Sequence, residues 1–307
     1  MIRIAYFGLP LGALLLHADG LPPALVVLAP PEAPGRRRLA RSLSADVLDA
    51  QLVDDAEALE AAFVERLERE PPDLLVSWYW TRRLPERALR SARLGAIGVH
   101  PSLLPRHRGP NPFFAAIDAG DAVTGVTVHR LVHEYDAGAV LARETIPVAE
   151  RNAWQLARAL DRPGLRTLRR VVRAFAEGNP PPDVPQDPSK ATLAPEPDGE
   201  LLHADFSWPA ERVVRRIRAL SPVPGLALEI GGIRFFATDA RVTSRVVPSL
   251  RPGEAARTAE GVAIRAGDAG VLILRAQISG QAEEDEDGVV LSAAELAEHL
   301  GLPPTGI

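Results

Sequence analysis

At 307 residues the chain is long enough for two domains rather than one small core. Its 46% apolar and 24% charged residues sit at globular averages and exclude a disordered or fibrous chain, and the absence of cysteine excludes a disulfide framework and a thiolate metal site. The net charge of −5 argues against a molecule-wide polyanion-binding surface, and a cysteine-free chain fits a reducing compartment, so the sequence reads as cytoplasmic.

The chain opens with an apolar run over residues 2–7 that Gly8 and Pro10 interrupt before Leu14-Leu15-Leu16. A strand ending in a glycine turn explains this better than a signal peptide. No segment reaches the ~18 apolar residues needed to span a bilayer, so no membrane association is expected. Further strands are expected over 24–28, 74–77, 96–99, 125–131 and 141–147, alternating with helical spacing over 54–68 and a helix over 111–119 with Pro112 in its first turn. This alternation predicts a parallel sheet with crossover helices and a site at the carboxyl ends of its strands.

A helix over 152–177, broken or bent near Pro163-Gly164, precedes a proline-rich stretch that reads as an extended linker. The expected domains are therefore residues 1–180, a linker over 181–199, and residues 200–307. In the last, Pro209 opens a helix through Leu220, and Gly231-Gly232 turns a hairpin between 227–230 and 233–237. Strands over 262–265, 271–276 and 289–291 follow, and Ser292-x-x-Glu295 caps a final helix ending near Leu300-Gly301. Five short strands with little helix predict a small barrel.

The segment Gly98-Val99-His100-Pro101-Ser102-Leu103-Leu104-Pro105-Arg106-His107-Arg108-Gly109 carries the densest chemistry, directly after an apolar run. Together with Thr124-Gly125-Val126-Thr127 and Asp136-Ala137-Gly138 it resembles the formyltransferases that use 10-formyltetrahydrofolate, and by whole-chain layout the methionyl-tRNA formyltransferases. Phe206-Ser207-Trp208 and residues 218–225 resemble the start of that family's C-terminal domain. The resemblance implies an α/β fold: a Rossmann-like formyltransferase domain followed by a small OB-like β-barrel domain.

Moving a formyl group from a folate nitrogen to an amine is acyl transfer, which needs a proton acceptor and stabilisation of an oxyanion. A histidine oriented by a carboxylate suits the first task, and the resemblance assigns His100 and Asp136 to it. The family's third catalytic residue is an asparagine two positions before the histidine, where this chain has Gly98. Asn111 and His107 are candidate substitutes as oxyanion donor; a water in the gap, or weak or lost catalysis, are the other outcomes. Ser102, Leu103, Leu104 and Pro105 match the loop that lines the formyl-folate pocket, and Leu84, Pro85 and Tyr135 are either further pocket walls or core. Folate is expected as a cosubstrate, and no metal is expected.

The acceptor stays open between tRNA and a small amine. Residues 30–41 include Arg36, Arg37 and Arg38 and resemble the basic loop of the tRNA enzymes; with Arg108 they either reach phosphate or form a solvated loop. A second arginine face, at Arg212, Arg215, Arg216 and Arg218, reads as the wet side of a helix. Residues 200–307 carry 11 arginines and 15 acids, a balance of −4 that weighs against a polyanion partner. Ser77-Trp78-Tyr79-Trp80 and Thr127-Val128-His129-Arg130 look more like the sugar-nucleotide N-formyltransferases, with Trp78 and Trp80 either stacking on an acceptor such as an amino sugar or packing the core. His129 and His133 lie four apart on a strand and a loop, which does not give the shared face of a helical metal pair. A formyl-folate hydrolase and a non-catalytic folate- or RNA-binding homologue are the alternatives, the latter because of Gly98.

Overall fold

The computed structural model describes residues 2–28, 36–42, 46–49, 56–244, 249–278 and 289–302. The chain divides into two compact units, one of Met1–Pro110, Thr124–Pro147 and Ala159–Ala194, the other of Asn111–Val123, Val148–Arg158 and Pro195–Ile307. No described helix is long and apolar enough to cross a membrane.

In chain order the elements through residue 176 are β1 (Ile4–Gly8), α1 (Pro10–Ala18), β2 (Leu25–Leu28), α2 (Arg36–Ser42), β3 (Asp46–Asp49), α3 (Ala56–Arg69), β4 (Leu74–Trp78), α4 (Glu86–Ser91), β5 (Ala96–His100), α5 (Pro112–Asp118), β6 (Val123–Arg130), β7 (Val140–Pro147) and α6 (Ala153–Ala176). The seven strands form one sheet in the order β3-β2-β1-β4-β5-β6-β7. Strands β1 to β5 run parallel, as a βαβ pattern dictates. Strand β6 departs from the expected all-parallel arrangement and runs antiparallel to β5, with His100 opposite Thr127 and Gly98 opposite His129.

Strand β1 is apolar throughout because both faces of the sheet are covered. Ile4 and Tyr6 pack with Val76, Ile97, Val128 and the α6 side chains Leu165, Leu168 and Phe175, while Ala5 and Phe7 pack with Val27, Leu75 and the α3 side chains Phe63 and Leu67. Burial of each large side chain contributes about 1.5–3 kcal/mol as an upper estimate. Gly8 ends β1 at φ 131°, where a Cβ would lie 1.8 Å from the Trp78 carbonyl oxygen. Only glycine fits there, and the chain turns into α1 with Pro10 in its first turn.

Several expectations are corrected. Arg36, Arg37 and Arg38 lie in helix α2 rather than a loop; the first part of the expected basic loop, residues 30–35, falls outside the described residues. Helix α6 runs unbroken through Pro163. At Gly164 the helix packs closely on the sheet, where a Cβ would lie 3.4 Å from Val99. The proline-rich stretch is extended but docked, since Val184 exchanges backbone hydrogen bonds with Val140 and Ala194 donates to the Arg108 carbonyl at 2.7 Å.

The second unit contains α7 (Ala210–Leu220), β8 (Leu226–Ile230), β9 (Ile233–Thr243), β10 (Ala255–Thr258), β11 (Gly261–Arg265), β12 (Gly270–Ile278), β13 (Val289–Ser292) and α8 (Ala293–His299). Its antiparallel sheet has the order β10-β11-β12-β9-β8, with β13 pairing the far end of β12, and this curled sheet is the small OB-like domain expected. Among the described residues six strands replace the expected five, because β10 is an edge strand whose Ala-Ala-Arg-Thr carries no apolar alternation. The capping box at Ser292 and Glu295 starts α8.

The arginines of α7 are only in part its wet side: Arg212 is exposed, whereas Arg216 is not. Arg216 is buried, its guanidinium forked onto Asp118 at 2.6 and 2.9 Å and donating to the carbonyls of Leu201 and His203. Arg218 bonds Glu150 and the Ala149 carbonyl, and Arg212 lies over the Trp208 ring at 3.8 Å.

Candidate active site

His100 is the last residue of β5 and its side chain is buried. Its Nε2 lies 2.7 Å from the His107 carbonyl oxygen, which can only accept, so Nε2 carries a hydrogen. Nδ1 faces Asp136 Oδ1 at 3.4 Å. The other carboxylate oxygen of Asp136 accepts the Gly109 N–H at 2.9 Å. One carboxylate thus ties the β5 loop to the turn after β6.

That turn is held from several sides. Asp136 sits at φ 54°, a left-handed conformation uncommon outside glycine and better tolerated by aspartate than by most residues. Gln186 supplies part of that hold by donating to the carbonyls of both Asp136 and Gly138 at 2.7 Å, while its Oε1 accepts two N–H groups of Arg108. A Cβ on Gly138 would stand 1.9 Å from the Arg130 carbonyl oxygen, so the turn closes only over a glycine.

The loop at 102–105 is pinned as firmly. Thr127 Oγ1 donates to the Ser102 carbonyl at 2.7 Å and accepts the Leu104 N–H at 3.1 Å. Ser102 Oγ donates to the Arg106 carbonyl at 2.6 Å, and Arg143 bonds the Leu104 carbonyl. Leu104 is buried; a Cβ on Gly125 would meet Leu103 at 2.6 Å and the Glu144 carbonyl at 2.1 Å, which accounts for the glycine in Thr124-Gly125-Val126-Thr127. The Pro105 carbonyl accepts the Thr192 N–H.

Beside His100 stands a second buried imidazole. His129 directs Nδ1 to the Arg130 carbonyl at 2.9 Å and Nε2 toward Asp136 Oδ1 at 3.7 Å. Its ring is nearly perpendicular to that of His100, with centroids 6.5 Å apart. Burial pushes both imidazoles below their ordinary range, and Asp136 opposes this in each; His129 is lowered further by the positive charge of His100 and Arg108. Among the described residues no group of three or more His, Cys, Asp or Glu could hold a metal ion.

A profile described as formyl transferase matches residues 17–172, and one described as formyl transferase, C-terminal domain, matches residues 200–288. The chain belongs to the formyl transferase family. It is 33% identical over 288 residues to a methionyl-tRNA formyltransferase of Roseiflexus castenholzii, covering 89% of this chain and 90% of the relative. To that of Syntrophus aciditrophicus it is 32% identical over 292 residues, 91% and 92% of the two chains. Among solved structures it resembles HypX from Aquifex aeolicus in complex with tetrahydrofolic acid, at TM-score 0.65 and 22% identity over 99% of this chain and 49% of that one. It also resembles an N-formyltransferase from Helicobacter canadensis in complex with folinic acid and dTDP-3-aminofucose, at TM-score 0.67 and 14% identity over 88% and 98%. These two structural likenesses concern the fold.

Not all residues singled out in this formyltransferase meet at the site. Asn111 belongs to the second compact unit, where its Oδ1 caps α5 through the Phe114 N–H and its Nδ2 donates to Glu196; both ends of the amide are engaged. Trp78 is 4% exposed in the core under the sheet, which removes it from an acceptor surface, and Trp80 packs edge-on against Phe7. Leu84 is core as well; Pro85 is half-buried before α4, and Tyr135 is half-exposed beneath the Arg83 guanidinium at 4.7 Å. The side chain of Arg108 is turned inward onto Gln186 and Glu134, not toward solvent, because an amide oxygen and a carboxylate satisfy its fork. Arg38 is exposed on α2, and the side chains of Arg36 and Arg37 lie outside the described residues.

Sequence reasoning did not assign Gln186 or His129 to the site. A lone glutamine in a proline-rich stretch leaves no signal. His129 had one, for once β6 is taken as antiparallel to β5, the two-residue alternation puts it on the face that carries His100.

Proposed function

We propose that this protein transfers the formyl group of 10-formyltetrahydrofolate to a primary amine in the cytoplasm, with methionyl-tRNA as acceptor. The observation that carries the reading is the buried His100–Asp136 pair beside the pinned loop at 102–105, in a chain matching about nine-tenths of the length of methionyl-tRNA formyltransferases. The loop's backbone is fixed on both sides by Thr127, which leaves it preorganised for a flat pterin.

In this reading the acceptor nitrogen adds to the formyl carbon, the carbonyl oxygen becomes an oxyanion, and the bond to the folate nitrogen then breaks. One proton leaves the attacking amine and one must reach the departing folate nitrogen. His100, aligned by Asp136, relays it. The His107 carbonyl bond on Nε2 and the carboxylate beyond Nδ1 favour a ring that holds two protons when charged, so His100 is suited to give one up to the leaving group.

A second acceptor class, a small amine such as a nucleotide-linked amino sugar, is favoured by the balance of −4 over residues 200–307. Tetrahydrofolate formation measured with charged initiator tRNA, with amino-sugar nucleotides and with no acceptor separates the readings. Turnover dependent on the tRNA is expected, falling by about 10²–10⁴ in His100→Ala. Turnover with sugar nucleotides alone assigns the second class, release of formate without acceptor makes the protein a hydrolase, and turnover unchanged in His100→Ala overturns the catalytic assignment.

A further inference from the structure

Gly98 and His129 are register partners across β5 and β6, as are His100 and Thr127. Partners in an antiparallel pair project to the same face of the sheet. The imidazole of His129 therefore shares with His100 the face on which Gly98 contributes no side chain. Leu131 covers that position, since a Cβ on Gly98 would meet its Cδ2 at 2.7 Å.

The hydrogen bonds fix how the protons are distributed. His100 Nε2 and His129 Nδ1 each donate to a backbone carbonyl, so each neutral ring turns a bare nitrogen toward Asp136. The two bare nitrogens face the same carboxylate oxygen, at 3.4 and 3.7 Å. Three lone-pair-bearing atoms around one point repel one another, and a single added proton on either ring turns one of these repulsions into a hydrogen bond. A second proton would place two cations on one carboxylate, with the Arg108 guanidinium nearby as a third positive charge.

We infer that His129 is a positioning residue for formyl transfer, which shares one proton with His100 through Asp136 and so holds that pair in register. The cluster accepts the proton of the attacking amine and returns one to the folate nitrogen, so that its own proton count is unchanged after each turnover. The titratable and charged groups facing His129 are Asp136 from the turn after β6, His100 from β5 and Arg108 from the loop between. This inference rests on the formyl-transfer reading for its catalytic part, while the proton coupling stands or falls independently.

The test uses the full chain with ¹⁵N-labelled imidazoles, followed by NMR across pH in wild type, His129→Gln and Asp136→Asn, with kcat and KM measured alongside. Wild type is expected to show His100 and His129 titrating together in two steps. His129→Gln keeps an amide donor near Asp136 but not the second ionisation, so His100 should titrate in a single step moved to higher pH, with the acid limb of the rate profile moving likewise. Its kcat should fall at least about tenfold with the KM for folate nearly unchanged, and His129→Ala should fall further. An identical His100 titration in wild type and His129→Gln overturns the proposal, whatever the acceptor. An unchanged kcat and pH profile in the glutamine variant overturns the catalytic role. A shifted titration in a protein that turns over no acceptor supports the coupling and overturns the proposed function instead.

Discussion

At the residue scale the site is decided by which side chain can reach Asp136, and Gly98 sharpens that question. Restoring a limiting oxyanion donor would raise turnover by roughly 10²–10³. We expect Gly98→Asn to fall far short of that, because Leu131 already covers the Cα and His129 occupies the facing position. Steady-state rates of tetrahydrofolate formation check this; a hundredfold gain would mean that a missing oxyanion donor limits the site. The motif around His100 was legible from residue types and order alone. The second imidazole was visible as a residue but not as a partner, because its relevance depends on the direction in which β6 runs beside β5.

At the element scale, helices and strands with strong apolar periodicity stood out in the sequence, and those without it did not. Strands β1, β2, β4, β5, β6 and β7 were each expected within a few residues, whereas the short edge strands β3 and β10 carry no pattern strong enough to read. Helix α7 was expected to within one residue, but its wet face was drawn too wide. An arginine every third or fourth residue looks solvated in one dimension, yet Arg216 is buried with Asp118. Arg216→Ala should cost about 3–5 kcal/mol, since it strands a largely buried carboxylate and two carbonyl oxygens. Chemical denaturation checks the size, and a cost below about 1 kcal/mol would show that the pair is no stronger than a surface one.

At the scale of the whole molecule, buried titratable groups set the response to pH. His100 and His129 are both held below the ordinary imidazole value, so the unfolded chain binds more protons than the folded one once pH drops below about 6.5. Stability should therefore decline as pH falls from 7 to 5, and less steeply in His129→Gln, as thermal midpoints would show; parallel declines would exclude His129 as a contributor. Asp19, bonded by Arg169, and Glu144, bonded by Arg166 and Thr167, are held below the ordinary carboxylate range. Their contributions are present above about pH 4 and are lost only as pH falls further, so the imidazole effect should come first on acidification.

The sequence by itself determined the family, the two sheets and the order of the strands' appearance, because apolar periodicity and a dense motif are local properties of the chain; the His100–Asp136 pairing was implied by the family resemblance. Tertiary structure alone decided that β6 reverses direction, that a proline-rich stretch docks and lends Gln186 to the Asp136 turn, that Trp78 is core, and that His129 joins the site. Each of these depends on contacts between residues far apart in the chain, where the competition is between alternative neighbours, and no local pattern records which neighbour wins.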